Sequence, residues 1–113
     1  ESSKVKARLS MREIPVIEGV MNLVDQEIYP GGTLRNLGSV DSSILWGKDI
    51  SYAEKVLLCD AQTSGGLLIS VPRSGLNDLK EALAINGVTS ISVVGEILRN
   101  TKLPKGKLIQ IVS

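Results

Sequence analysis

The chain contains no histidine and no phenylalanine. Without histidine it lacks the commonest general base at neutral pH, and it can build neither a serine–histidine triad nor a histidine-containing zinc site. Its only aromatic residues are Tyr29, Trp46 and Tyr52, too few to stack successive bases along a nucleic acid. Thirteen Lys+Arg against 12 Asp+Glu leave a formal charge of +1. The basic residues form two groups, Lys4, Lys6, Arg8 and Arg12 near one end and Arg99, Lys102, Lys105 and Lys107 near the other. Both read as solvated faces, so nucleic acid is not an expected partner.

Cysteine is nearly absent too. Cys59 stands alone, which excludes an internal disulfide. A single thiol in an aliphatic stretch reads as a small buried hydrophobe rather than a nucleophile, and it fits a reducing compartment. No segment has the apolar length of a membrane helix, and the amino terminus lacks the apolar centre of a signal peptide. The expectation is a soluble cytoplasmic protein with no membrane partner. Phosphate loops of the G-x-x-x-x-G-K-[ST] type are missing as well: Gly47-Lys48 and Gly106-Lys107 are followed by Asp49 and Leu108 and lack the upstream glycine. No G-x-G-x-x-G occurs.

What is present is the composition of one compact domain, residues 1–113, with 42% hydrophobic and 22% charged residues. The chain begins with Glu1 rather than Met, as expected for part of a longer protein. From Lys4 to Met11 the residues alternate, Val5, Ala7, Leu9 and Met11 facing one way and Lys4, Lys6, Arg8 and Ser10 the other, which predicts a half-buried strand. Pro15 is placed to open a helix in which Ile17, Val20, Met21, Val24 and Ile28 recur at helical spacing. Gly19 inside that helix marks either a close backbone approach or simple tolerance. Tyr29 to Ser43, with a proline and three glycines, reads as a long loop, and loops of that length are often functional.

Ser51 and Glu54 have capping-box spacing for a short helix to Leu58. Leu67 to Val71 reads as a strand ended by Pro72. Ser74 is the expected cap of a helix whose stripe is Leu76, Leu79 and Leu83 and whose stop is Asn86-Gly87. Two β-branched strands follow, Ile91 to Leu98 and Lys107 to Val112, parted by a turn-prone stretch from Arg99 to Lys107. Strands alternating with amphipathic helices predict an α/β (α+β) domain, helices layered on a mixed sheet.

Chemistry is confined to two polar stretches. In Asp60 to Gly66, Gly65 and Gly66 can take positive φ and expose successive N–H groups to an anion, with Thr63 and Ser64 as hydroxyl donors. Equally, Asp60 and Ser64 can bond local backbone in a turn that simply feeds the next strand. In Pro30 to Asn36, Gly31-Gly32 give backbone freedom, Thr33 a donor, Arg35 an oxyanion clamp or a surface ion pair, and Asn36 polar orientation.

Taken together these strings resemble a known family. "DAQTSGGLLISVP", Asp60 to Pro72, is similar to the D-P-Q-T-S-G-G-L-L signature of selenophosphate synthetases, and "YPGGTLRN", Tyr29 to Asn36, to their P-G-G-T-x-R-N segment. The likeness extends more loosely through the helix after Ser74 and "VVGEI" at Val93 to Ile97. It implies the greater part of that enzyme's carboxy-terminal domain, shared with the aminoimidazole ribonucleotide synthetase superfamily, with a partly ferredoxin-like topology. The activity implied is formation of selenophosphate, AMP and phosphate from ATP, selenide and water, with Mg2+, in a homodimer.

The family's glycine-rich segment with its reactive cysteine or selenocysteine, the partner lysine and most magnesium-binding aspartates belong to an amino-terminal domain that is not in this sequence. Cys59 lacks those surroundings and does not replace the reactive residue. The resemblance therefore implies a half that is inactive alone and binds no cofactor tightly, with no catalytic or metal residue of its own. Its partner is the amino-terminal domain. Thr33, Arg35, Asn36, Asp60, Gln62, Thr63, Ser64, Gly65 and Gly66 are the candidates for facing or bracing the substrate. The alternatives are another ATP-using superfamily member, such as a hydrogenase-maturation or thiamine-phosphate kinase relative, and a free-standing binding or regulatory module.

Overall fold

The computed structural model describes residues 4–99 and 102–113. Four strands, β1 (Val5–Ser10), β2 (Ile44–Trp46), β3 (Gly95–Arg99) and β4 (Ile109–Val112), form a mixed sheet in the order β2-β4-β1-β3. β4 lies parallel to both β1 and β2, while β3 runs antiparallel to β1. The described residues also form four α-helices, α1 (Val20–Asp25), α2 (Gly31–Val40), α3 (Tyr52–Leu58) and α4 (Leu76–Ile85), and three short 3-10 turns. The expected class, a mixed sheet packed with helices, is what is found. Among the described residues no helix is long and apolar enough to cross a membrane.

Strand alternation explains which face is buried. Leu9, Ile111 and Trp46 stand in one row across β1, β4 and β2, and Ala7, Ile109 and Ile44 in the next row on the same face. Ile44 and Ile111 join Met11 and Ile50 in one apolar cluster, against which Leu9, Trp46, Leu57 and Ile109 pack. The intervening row points the other way: Arg8 donates to Gln110 Oε1 (2.9 Å) and pairs with Glu96 (3.2 Å). A second cluster of Val24, Leu37 and Val56 joins α1, α2 and α3. Trp46 and Leu57 touch both clusters.

Gly95 is required where it stands. It opposes Leu9 on β1, and a Cβ there would lie 2.9 Å from Leu9 Cα and collide with the Arg8 carbonyl oxygen.

Several expectations change. Lys6 does not face solvent: its side chain is buried, and Nζ donates to the carbonyls of Leu103 (2.9 Å) and Pro104 (3.0 Å). Strand alternation ignores the Leu103–Pro104 segment that covers this end of the sheet; Asn100 and Thr101 lie outside the described residues. The helix expected from Pro15 starts only at Val20, because Gly19 is its N-cap in the left-handed region (φ 84°). No atom lies within 4 Å of a Cβ added there, so backbone conformation, not close approach, explains this glycine.

Tyr29 to Ser43 is no loop. Pro30 is the extended N-cap of α2, and burial of Thr33 and Leu37, one turn apart, offsets the helix cost of the glycines. Leu67 to Val71 forms no strand: the stretch lies outside the sheet, with Leu67 90% and Leu68 76% exposed. β-Propensity marks a segment fit for pairing, and a strand exists only where a ladder partner is in reach.

β2 was too short to read from pattern. At α4 the N-cap is Gly75, with Ser74 in the preceding 3-10 turn. The stripe of Leu76, Leu79 and Leu83 is half-buried as expected, and the stop at Asn86-Gly87 is formed, Gly87 taking φ 81°.

Replacing Lys6 by Met keeps the length of the side chain but leaves two carbonyls without their donor. The expected cost is about 1–3 kcal/mol, read as a lower urea midpoint; an unchanged midpoint would show that the turn does not depend on this lysine.

Candidate functional site

The site is assembled where α2 meets the end of α3. At the start of α3, Ser51 Oγ accepts from the Glu54 N–H (3.2 Å) and Glu54 Oε2 accepts from the Ser51 N–H (2.7 Å), completing the expected capping box. Val56, 1% exposed, anchors the helix. Its last turn carries Cys59 and Asp60 out along the axis, with their N–H groups donating to Val56 and Leu57 carbonyls at 3.1 Å.

Thr33 and Asn36 lie on one face of α2, three residues apart. Thr33 is 1% exposed, and its Oγ1 donates to Asp60 Oδ1 at 2.6 Å. One turn on, Asn36 Nδ2 donates to the Cys59 carbonyl at 3.1 Å, occupying an acceptor that the end of α3 leaves without an intrahelical partner. Three of the sequence candidates thus converge. The contribution of the Cys59 carbonyl was beyond sequence reasoning, because a main-chain acceptor leaves no residue-type signal.

The remaining candidates stand outside this contact. Arg35 is exposed, and its guanidinium folds back along α2: a Cβ at Gly31 or Gly32 would come within 3.9 and 3.7 Å of Nη1 and Nη2. The first turn of α2 holds no acidic residue, and no side chain caps it. Gln62, Thr63, Ser64, Gly65 and Gly66 are all exposed. Neither Gly65 nor Gly66 takes a positive φ, so the loop does not have the alternating backbone expected of an anion-cradling nest.

The donor set decides what this chain can hold. Guanidinium, hydroxyl, amide and helix N-terminal N–H groups suit an oxyanion such as a phosphate. They do not suit Mg2+, which asks for carboxylate oxygens. Asp60 is the one carboxylate among the candidates and is occupied by Thr33, and among the described residues no three His, Cys, Asp or Glu side chains gather as a metal site. A separate shallow cleft of about 150 Å³ lies between α1 and α3, lined by Val24, Tyr29, Tyr52 and Val56 among others, and includes none of the candidates.

The fold and the site define a mixed α/β domain that presents an uncharged polar loop and one arginine where α2 is bonded to the end of α3. No family model matches the chain. Curated relatives do. The chain is 30% identical over 100 residues to the selenide, water dikinase of Aliarcobacter butzleri, 35% over 99 residues to that of Photobacterium profundum, and 38% over 97 residues to that of Myxococcus xanthus. These alignments cover 88%, 87% and 85% of this chain but 29%, 28% and 27% of the relatives. The chain is a selenophosphate synthetase-related domain, spanning under a third of the length of the curated relatives it matches.

Cys59 fits the role of packing residue. It is half-buried against the Val24, Leu37 and Val56 cluster, and its thiol is pushed above the ordinary value, first by burial and then by the negative charge of Asp41. A raised pKa leaves less thiolate at neutral pH, so alkylation by iodoacetamide at pH 7.5 is expected to be slower in the folded chain than after unfolding in urea. Equal rates in the two states would mark the thiol as open and reactive.

Proposed function

We propose that this domain is the carboxy-terminal part of a selenide, water dikinase, closing one wall of the cleft in which ATP, selenide and water are converted to selenophosphate, AMP and phosphate. The observation that carries this reading is the juxtaposition of the two signature strings: Tyr29 to Asn36 and Asp60 to Gly66, far apart in sequence, are joined through the Thr33–Asp60 hydrogen bond. Fusing them into one surface leaves Arg35, Gln62, Thr63 and Ser64 exposed beside it.

These groups would act on the nucleotide by position and charge. Arg35, aided by the free N–H groups at the start of α2, would take a phosphate oxygen; Thr63 and Ser64 would donate from the loop, and Gln62 would orient whichever group lies between them. Phosphoryl transfer asks little covalent chemistry of the protein, so a wall of donors that adapts to transferring charge is a useful contribution by itself. Mg2+, when bound, neutralises phosphate charge; its ligands are assigned to the amino-terminal domain, since the donor set here does not fit it. The same reading makes the amino-terminal domain the principal partner, the complete enzyme a homodimer, the location cytoplasmic, and residues 1–113 a single unit without turnover of its own.

Two measurements test it. The isolated chain incubated with ATP, Mg2+ and selenide is expected to form no selenophosphate, and turnover would overturn the assignment of catalysis to the other half. In the full-length protein, Arg35→Ala and Thr63→Ala are each expected to lower kcat/KM roughly ten- to a hundred-fold, the loss of a hydrogen bond involving a charged group, with an unaltered fold by circular dichroism. Wild-type kinetics in both variants would remove the loop and α2 from the substrate wall.

A further inference from the structure

We propose that Thr33 and Asn36 are positioning residues: together they clamp the end of α3 and so set where the Ala61–Gly66 loop stands, the enclosed Thr33 hydroxyl without touching the substrate. The proposal rests on the wall reading above and divides its candidates into two kinds.

The division follows from where each polar group is spent. Thr33 is almost wholly enclosed, and its single hydroxyl hydrogen is committed to Asp60 Oδ1 at 2.6 Å, a short charge-assisted bond. A hydroxyl 1% exposed has no route to a ligand. Asn36 spends an amide donor on the Cys59 carbonyl at 3.1 Å. The two bonds grip consecutive residues, Cys59 and Asp60, from consecutive turns of one helix, and a pair of contacts fixes direction as well as position. Beyond Asp60 the chain has no further support of this kind: residues 61–70 are all exposed, and Gly65 and Gly66 bring no side chain to restrain it. The orientation in which the loop leaves α3 is therefore set at the clamp.

Arg35 lies between the two gripping residues in sequence but on another face of α2, since neighbours in a helix diverge by about 100°. One helix thus carries both the clamp and the exposed cation. Whatever holds Asp60 in place also limits how far from α2 and Arg35 the chain can carry Thr63 and Ser64, three and four residues further on and the donors assigned to the phosphate. Losing the clamp lifts that limit while removing no donor, which should weaken nucleotide binding more than it slows the chemical step.

The test uses the full-length protein with Thr33→Val, which keeps the shape and removes the hydroxyl, and Thr33→Ser, which keeps the hydroxyl. Amide hydrogen exchange at Cys59 and Asp60, whose N–H groups donate to the Val56 and Leu57 carbonyls, reads the clamp directly, and KM for ATP against kcat reads its consequence. Thr33→Val is expected to speed exchange at these two amides and raise KM about tenfold or more with a smaller change in kcat, and Thr33→Ser to restore both. Asn36→Ala, at an exposed position, repeats the measurement if Thr33→Val does not fold, with faster exchange at the same amides expected. Unchanged exchange at Cys59 and Asp60 in Thr33→Val, or in Asn36→Ala where that variant stands in, overturns the clamp whatever the kinetics. Faster exchange at an unchanged KM overturns instead the reading that this loop faces the nucleotide, and with it the functional half of the proposal. A Thr33→Ser protein as impaired as Thr33→Val shows that packing, not the hydroxyl, is what matters, and also overturns it.

Discussion

The packing of α3 is the constraint on which the rest of the structure depends. Its Leu57, with Trp46 of β2, touches both apolar clusters, so this short helix and the Trp46 indole together couple the sheet to α1 and α2. Val56 is the most completely enclosed apolar side chain. Only seven residues long, α3 would be marginal in isolation; its capping box and the apolar contacts on two sides hold it in place. Around it the ring of Trp46 is held at its edge by Asp41, which accepts from Nε1 at 2.7 Å, and covered by Lys55, whose Nζ lies 5.3 Å from the ring centroid. The end of α3 is therefore a fixed point, and a loop starting there inherits a defined origin.

That arrangement separates support from display. Thr33 Oγ1, Asn36 Nδ2 and Asp60 Oδ1 are spent on one another and on the backbone, while Arg35 and the loop residues keep their polar atoms for something outside. The separation has a physical basis: a buried hydroxyl beside a carboxylate must be paired or it costs more than it contributes, whereas an exposed arginine loses little by waiting in water. A motif read as a row of equivalent polar residues is thus two sets, one bonded within the chain and one facing outward.

Much of the fold was legible from pattern, and the failures are instructive. The capping box at Ser51 and Glu54, the stripe of Leu76, Leu79 and Leu83, the stop at Asn86-Gly87 and the alternation from Lys4 to Met11, of which Val5–Ser10 forms β1, are local signals, decided by a few neighbouring residues. The errors arose where distant contacts outweighed local preference. Gly31 and Gly32 argue against a helix, yet α2 forms because Thr33 and Leu37 are buried on partners not adjacent in sequence. Leu67 to Val71 argues for a strand, yet it lies outside the sheet. Lys6 sits on what alternation labels the wet face and is buried by the turn at Leu103 and Pro104.

The sequence by itself determined the class of the domain, the strings that carry its kinship and the residue types available to a site, because these depend on composition, short-range spacing and identity. It also determined what the site could not be, since no arrangement of these side chains supplies a histidine. Tertiary structure alone decided which polar residues brace and which face outward. That choice depends on which partner each side chain meets, Thr33 with Asp60 and Asn36 with Cys59, pairs more than twenty residues apart, whose meeting no local period records.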